Sequence, residues 1–417
     1  MNNYPYKNIT ETTLKNYASL FVRTGGNVQK GQPVIINSNI EASHFAHLVE
    51  EAAYDAGASQ VSILWSSDAS VRTRYFRAAD EVFDEFPDWM VERFEYWDKK
   101  GAVYLHIASS DPDLLNGADP DRIRRLGIIS SKKTKPHADR TMSYKLRWSI
   151  CAVPSKGWAA KVFPDLPVDK AVEKLWELII KASRADGDNP IEDWKKHRQS
   201  FVDRVNYLNE QQFSKLRITT GLGTDITLGL PKNHIWKGGG SYDKDGLPFS
   251  PNIPTEEIYT APDRNVADGR VVASMPLSYR SSLIEGIELI FRDGVIVDYK
   301  AVSNQEALAN IIETDEGAKR LGEIALVPKS SPITQMNTLF YNTLYDENAS
   351  CHMAIGKAYP INIEGGADLS IDELAAKGIN NSLVHVDFMF GTDDMSVVGI
   401  YDDGGEVVVF GDGEYKG

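Results

Sequence analysis

Four stretches in the second half of this chain gather the side-chain types that hold metal ions, and one of them carries a two-residue rhythm. In Val384-His385-Val386-Asp387-Phe388-Met389-Phe390, residues two apart on a strand share a face. His385 and Asp387 therefore project together, with Val384, Val386 and Phe388 on the opposite side. The Asp can simply orient the His by a hydrogen bond, or both can ligate metal, one ion each or one together. In Leu321-Gly322-Glu323-Ile324-Ala325-Leu326-Val327-Pro328, Glu323 opens an apolar run with the look of a buried strand. An unpaired carboxylate there costs several kcal/mol, so an Arg, a Lys or a metal ion must answer it.

The richest stretch runs from Leu344 to Pro360: Leu-Tyr-Asp-Glu-Asn-Ala-Ser-Cys-His-Met-Ala-Ile-Gly-Lys-Ala-Tyr-Pro. Asp346 or Asn348 can cap a short helix carrying Cys351, His352 and Ile355. On such a helix, Glu347 and His352 point about 140° apart. They converge only if Glu347 lies in the loop ahead of it. Pro360 limits the helix and leaves Tyr359 at its end, where the hydroxyl can face a cleft. In the fourth stretch, Asn252 to Pro262, Pro254 and Pro262 stiffen the chain around Glu256-Glu257. If that segment is extended the two carboxylates face opposite ways, and at most one reaches a given site. A Glu-Glu pair is also a common solvated face. The other histidines, His44, His47, His106, His137, His197 and His234, lack such company and read as surface or structural residues.

The elements that must position these groups divide the chain in two. Pro33–Asn37 reads as a buried strand, followed by a helix with Phe45, Leu48, Val49, Ala52 and Ala53 at helical spacing. Gly57 ends it and a second strand covers Val61–Trp65, which makes a βαβ unit. Aromatic-rich helical patterns follow from Arg74 to Asp98, then a strand at Ala102–Ala108. Asp111-Pro112-Asp113 suggests a domain end near Ser110. No GxGxxG follows the first strand, and Gly221-Leu222-Gly223 lacks a third glycine, so a turn between strands is the better reading there. Helical patterns at Asp169–Ala185 and Glu192–Asn209 give way to strands. Ile287–Phe291, Arg292-Asp293-Gly294 and Val295–Tyr299 form a hairpin signal. The expected fold is multidomain, α/β plus α+β. A small N-terminal parallel-sheet βαβ domain spans 1–110, and a larger C-terminal mixed or antiparallel catalytic domain spans 111–417.

Composition narrows the classes. With 45 Lys plus Arg against 59 Asp plus Glu, the net charge is −14. That balance speaks against nucleic acid and anionic membrane as partners. Two distant cysteines, Cys151 and Cys351, cannot build a disulfide framework and point to a reducing compartment. The polar opening Met1-Asn2-Asn3-Tyr4 lacks the pattern of a secretion signal. The expectation is a soluble, cytoplasmic protein.

In their order and spacing, the acidic pair, Leu-Gly-Glu, the long Asp-Glu-Asn-Ala-Ser-Cys-His stretch with its Tyr-Pro, and His-Val-Asp resemble the M29 metallopeptidases, the aminopeptidase T and aminopeptidase S group. The resemblance runs along the whole chain. It implies a homodimeric aminopeptidase acting on peptides with two divalent ions (Zn, Co, Mn or Mg). It also implies Glu257, Glu323, Glu347, His352, His385 and Asp387 as ligands, with Glu323 bridging both ions. Tyr359 matches a tyrosine beside the metals, placed to donate to the tetrahedral oxyanion, and Glu256, or Glu347 if it is not a ligand, would carry a proton to the leaving amine. Two other readings compete: a dinuclear hydrolase of another amide or a phosphoester, and a non-catalytic metal- or peptide-binding relative.

Overall fold

The computed structural model describes residues 9–416, so the Met1–Tyr4 opening lies outside the described residues. Contacts gather the chain into two compact units. Of the described residues, the first holds those through Ser200 with Gly240–Thr255 and Thr338–Leu344, and the second holds Phe201–Gly239, Glu256–Asn337 and those from Tyr345 to Lys416. Among the described residues no helix is long and apolar enough to cross a membrane.

The first unit is built on four parallel strands in the order Gln60–Ser66, Pro33–Asn39, Val103–Ala108, Trp148–Ala152. The expected βαβ unit opens it. Asn39 caps the turn Ile40–Ala42, and the helix Ser43–Asp55 buries Phe45, Leu48, Val49 and Ala53. Gly57 then turns the chain back at φ +96°, a conformation open to glycine and costly for others. The aromatic-rich stretch is interrupted: helices cover Asp68–Arg77 and Asp88–Lys99, with a short turn at Asp80–Asp84 between them. Pro87 keeps Phe86 out of the helix and so fixes the start of the second one. Trp148–Ala152 joins this sheet from beyond Ser110, so the sequence boundary falls inside the first unit.

The second unit packs two antiparallel sheets around one core. An eight-stranded sheet includes the hairpins Lys215–Thr219 with Asp225–Gly229 and Glu288–Arg292 with Val295–Lys300. A five-stranded sheet runs in the order His385–Met389, His352–Gly356, Leu321–Leu326, Ile258–Thr260, Lys237–Gly238. Leu216, Ile218, Leu228 and Leu289 of the larger sheet meet Ile324, Met353, Val386 and Phe388 of the smaller in a shared apolar core. Burying such side chains is worth roughly 1.5–3 kcal/mol each, which pins the register of the smaller sheet.

One expectation is overturned. Cys351, His352 and Ile355 do not sit on a short helix. Thr343–Asp346 is a single helical turn, Glu347–Ala349 a tight turn, and His352–Gly356 a fully buried strand. That strand lies between two others, whose ladders satisfy its backbone on both edges.

Candidate metal centre

Register in the five-stranded sheet decides which side chains meet. Residues directly opposite each other across an antiparallel pair share a face. Glu323 faces Ala354, and Ala354 faces Asp387; Ala325 faces His352, and Gly356 faces His385. One face therefore presents Glu323, His352, His385 and Asp387, with small Ala325 and Ala354 between them. The other presents Ile324, Met353, Ile355, Val386 and Phe388 to the core. The two-residue rhythm of His385 and Asp387 is realised as expected.

The Leu-Gly-Glu motif has a steric reason. The ladder shifts register between Leu321 and Glu323, a bulge that re-aims the side chain beyond it. A Cβ on Gly322 would lie 2.4 Å from the carbonyl oxygen of Lys357. That carbonyl accepts a hydrogen bond from His385 Nδ1 at 2.6 Å. His352 is held in the same manner, Nδ1 donating to the Ser350 carbonyl at 3.1 Å. A carbonyl can only accept, so each Nδ1 carries a hydrogen and each Nε2 is the atom that faces the carboxylates, the orientation metal-binding histidines adopt.

Both Nε2 atoms face carboxylates. His352 Nε2 lies 2.9 Å from Glu257 Oε2 and 3.5 Å from Glu323 Oε1. His385 Nε2 lies 3.9 Å from Glu323 Oε2 and 3.4 Å from Asp387 Oδ1. The two oxygens of Glu323 thus address two different histidines. Ligand atoms of Glu257, Glu323 and His352 fall within 4.8 Å of one another, and so do those of Glu323, His385 and Asp387. Asp387 Oδ1 is buried and, beyond the long 3.4 Å approach of His385 Nε2, has no well-formed hydrogen bond, a deficit that a cation would satisfy. The donor set is carboxylate and imidazole without thiolate, since the nearby Cys351 turns its Sγ to the backbone of Val327. Such a set suits Zn²⁺, Co²⁺ or Mn²⁺.

Of the acidic pair, Glu257 enters the cluster, while Glu256 is buried with its N–H donating to Asn348 Oδ1 at 2.6 Å. Glu347 occupies the turn ahead of the His352 strand and lies outside both triplets. It is buried, and its strongest charged neighbours are Asp387, Glu257, His352 and Glu323. Tyr359 stands edge-on to His385, ring centroids 5.4 Å apart, and lies 5.8 Å from the Tyr259 ring. The remaining histidines stay outside either triplet.

Electrostatics reflect crowding. Burial raises the Glu323 carboxyl to about 7, with Glu257 adding to the rise and His352 opposing it. Burial also pushes Glu347 well up, reinforced by Asp387 and Glu257. Burial alone would lower both histidines, yet the carboxylates outweigh it: His352 is held well above the ordinary range by Glu257 and Glu323, and His385 rises to about 9 beside Asp387. Burial opposes ionisation of Asp387 too, but His385 and His352 keep it low. The imidazole protons offset the crowded carboxylate charge.

Buried carboxylates aimed at imidazole Nε2 atoms on one face of an antiparallel sheet are a metallohydrolase type of site. The chain belongs to the thermophilic metalloprotease (M29) family, whose profile matches residues 10–415. It is 43% identical over 402 residues to aminopeptidase AmpS of Bacillus subtilis, covering 96% of this chain and 98% of that one. It is 40% identical to aminopeptidase 2 of Geobacillus stearothermophilus, over 97% and 98% of the two chains. The solved structure of AmpT from Thermus thermophilus superposes with a TM-score of 0.89 at 38% identity, covering 97% of this chain and 98% of that one.

Sequence reasoning missed Asn348 as a contact of the acidic pair and the bulge at Gly322. A partner 92 residues away leaves no local trace, and only the glycine itself hinted at the bulge.

Proposed function

We propose that this chain is an aminopeptidase that removes N-terminal residues from peptides with two divalent ions. Metal-dependent peptidase chemistry goes with the family; the number of ions and their ligands are our reading. The observation that carries it is Glu323, whose two carboxylate oxygens address His352 on one side and His385 on the other. Glu257 and His352 would hold one ion, His385 and Asp387 the other, with Glu323 shared and Glu347 completing the set. Four carboxylates carry the charge of two dications, which fits a buried site in need of neutrality.

Ions held there would polarise the scissile carbonyl and lower the pKa of a bound water. The chain's own residues supply the rest. Tyr359, edge-on to His385, donates a hydrogen bond to the carbonyl oxygen as it gains charge. Glu256 carries the proton to the departing amine. A free α-amine meeting the carboxylate cluster restricts attack to the first peptide bond. The substrate leaves as one amino acid and a shortened peptide.

Homodimerisation and a cytoplasmic location belong to the same proposal. The two cysteines, both free and buried, support a reducing setting. Sedimentation at micromolar concentration should return twice the chain mass. The function is tested with leucine-p-nitroanilide, its N-acetylated form and p-nitrophenyl phosphate, after chelation and add-back of Zn²⁺, Co²⁺, Mn²⁺ or Mg²⁺. Only the free-amine substrate should be cleaved, with activity saturating at two ions per chain. Phosphatase activity, or saturation at one ion, rejects the reading.

A further inference from the structure

The six proposed ligands are held in two different ways. Glu323, His352, His385 and Asp387 lie on paired strands, where the ladder fixes them. Glu257 and Glu347 do not. Glu257 stands just before the strand Ile258–Thr260, and Glu347 sits in the tight turn Glu347–Ala349. Carboxylates on irregular segments swing unless something else fixes them, and ligand precision of about half an ångström needs a supporting contact.

Asn348 supplies it. Fully buried, it accepts the Glu256 N–H at Oδ1 (2.6 Å) and donates from Nδ2 toward Glu347 Oε1 (3.4 Å). The Glu256 N–H can only donate, so it fixes the amide's orientation and leaves the NH₂ end for Glu347. The turn itself is anchored from behind. Ser331 Oγ donates to the Asn348 carbonyl at 3.3 Å, and Thr334 Oγ1 donates to the Ala349 carbonyl at 2.8 Å. One side chain on a braced turn therefore touches both loop-borne acidic segments.

We infer that Asn348 is a positioning residue that locks the Glu256–Glu257 segment and the Glu347 carboxylate into one register, doing for the two loop ligands what the sheet does for the other four. This rests on the two-ion reading above. Asn348 is not one of the proposed ligands, and its effect passes through the Glu256–Glu257 segment and Glu347 that it bonds.

The test measures metal-binding isotherms on chelated, full-length protein with Zn²⁺ or Co²⁺, together with melting of the chelated form and turnover. Asn348→Ala should fold and still bind, with affinity for at least one ion weaker by about 10–100-fold. Turnover at limiting metal should fall in parallel and recover in excess metal. A cycle with Glu347→Gln separates positioning from general loosening. If Asn348 acts through Glu347, the double variant should lose much less than the product of the two single losses. Should Asn348→Ala not fold, Asn348→Leu keeps the volume while removing both bonds, and the same weakening is expected. A wild-type isotherm in a folded Asn348 variant, or fully multiplicative losses in the cycle, overturns the inference. If wild type binds one ion, or Glu347→Gln binds both as wild type does, the two-ion ligand assignment has failed instead.

Discussion

Two regions of this molecule bury histidines and push them in opposite directions. In the parallel sheet of the first unit, His106 meets the Asn37 amide at 3.3 Å, and burial, aided by the nearby His137, lowers it to about 4. His197, also in the first unit, sits beside the Thr255 carbonyl and is driven down to about 3, chiefly by burial with Arg184 adding to it. In the five-stranded sheet of the second unit, burial exerts the same downward pull on His352 and His385, yet both end high because carboxylates surround them. Burial is common to the two regions. What differs is the company, and a buried imidazole among buried carboxylates is where a cation gains most.

The largest way to break the comparison is to remove the shared carboxylate. Glu323→Ala should lose both ions from the isotherm and reduce kcat/KM by about 1,000-fold or more, since several kcal/mol of metal-derived stabilisation are at stake. Two ions bound with full turnover would reject the bridging role. Next comes occupancy of the ligand face. Ala354 lies between Glu323 and Asp387 across the ladder, and a larger side chain would enter the space between the triplets. Overpacking of this sort costs about 1–3 kcal/mol, so Ala354→Leu should lower metal affinity and turnover by about 10–100-fold, whereas Ala354→Gly should keep both ions. Elemental analysis after gel filtration distinguishes the two variants.

Legibility followed the period of each element. His385 and Asp387 were readable because a half-polar strand alternates, and Val386 and Phe388 declared the buried face. The hairpins at Lys215–Gly229 and Glu288–Lys300 were readable for the same reason, helped by their glycine turns. His352–Gly356 was not. Buried on both faces, it shows no polar alternation, and Cys351, His352, Ile355 and Tyr359 happen to recur at helical intervals. The condition that Glu347 lie ahead of its element was met, but the element is a strand. The choice of Glu257 over Glu256 was made by resemblance, and local sequence offers no signal for it. In the first unit the opening βαβ was legible, while Trp148–Ala152 was too short and too far along the chain to be assigned to that sheet.

The pH dependence of stability should carry opposite signs in the two regions once metal is stripped. In the second unit, Glu323 near 7 binds protons that an unfolded glutamate would release above about 4.5, and His385 near 9 holds one beyond the ordinary 6.5. The folded state then binds more protons than the unfolded one, so stability falls as pH rises from about 4.5 through 9. Restoring Zn²⁺ or Co²⁺ should remove that loss, and hydrogen exchange in the His352 and His385 strands between pH 6 and 9 reads it directly. Faster exchange at the low end, after correction for intrinsic rates, would contradict it.

The smallest effect belongs to the parallel sheet. His106 stays neutral down to about 4, so below 6.5 the unfolded state binds the extra proton. Its contribution is fully present above about pH 6.5 and is lost as pH falls toward 4, by roughly 2 kcal/mol. His106→Gln can keep a hydrogen bond to Asn37 but cannot titrate. Protection of the Val103–Ala108 amides, compared between pH 6.5 and 4.5, should drop in the parent and hold in the variant, with or without metal. An equal drop in both would move the acid sensitivity of this sheet to His197 or another group, while a drop that vanishes on adding metal would tie it to the second unit and erase the contrast between the two regions.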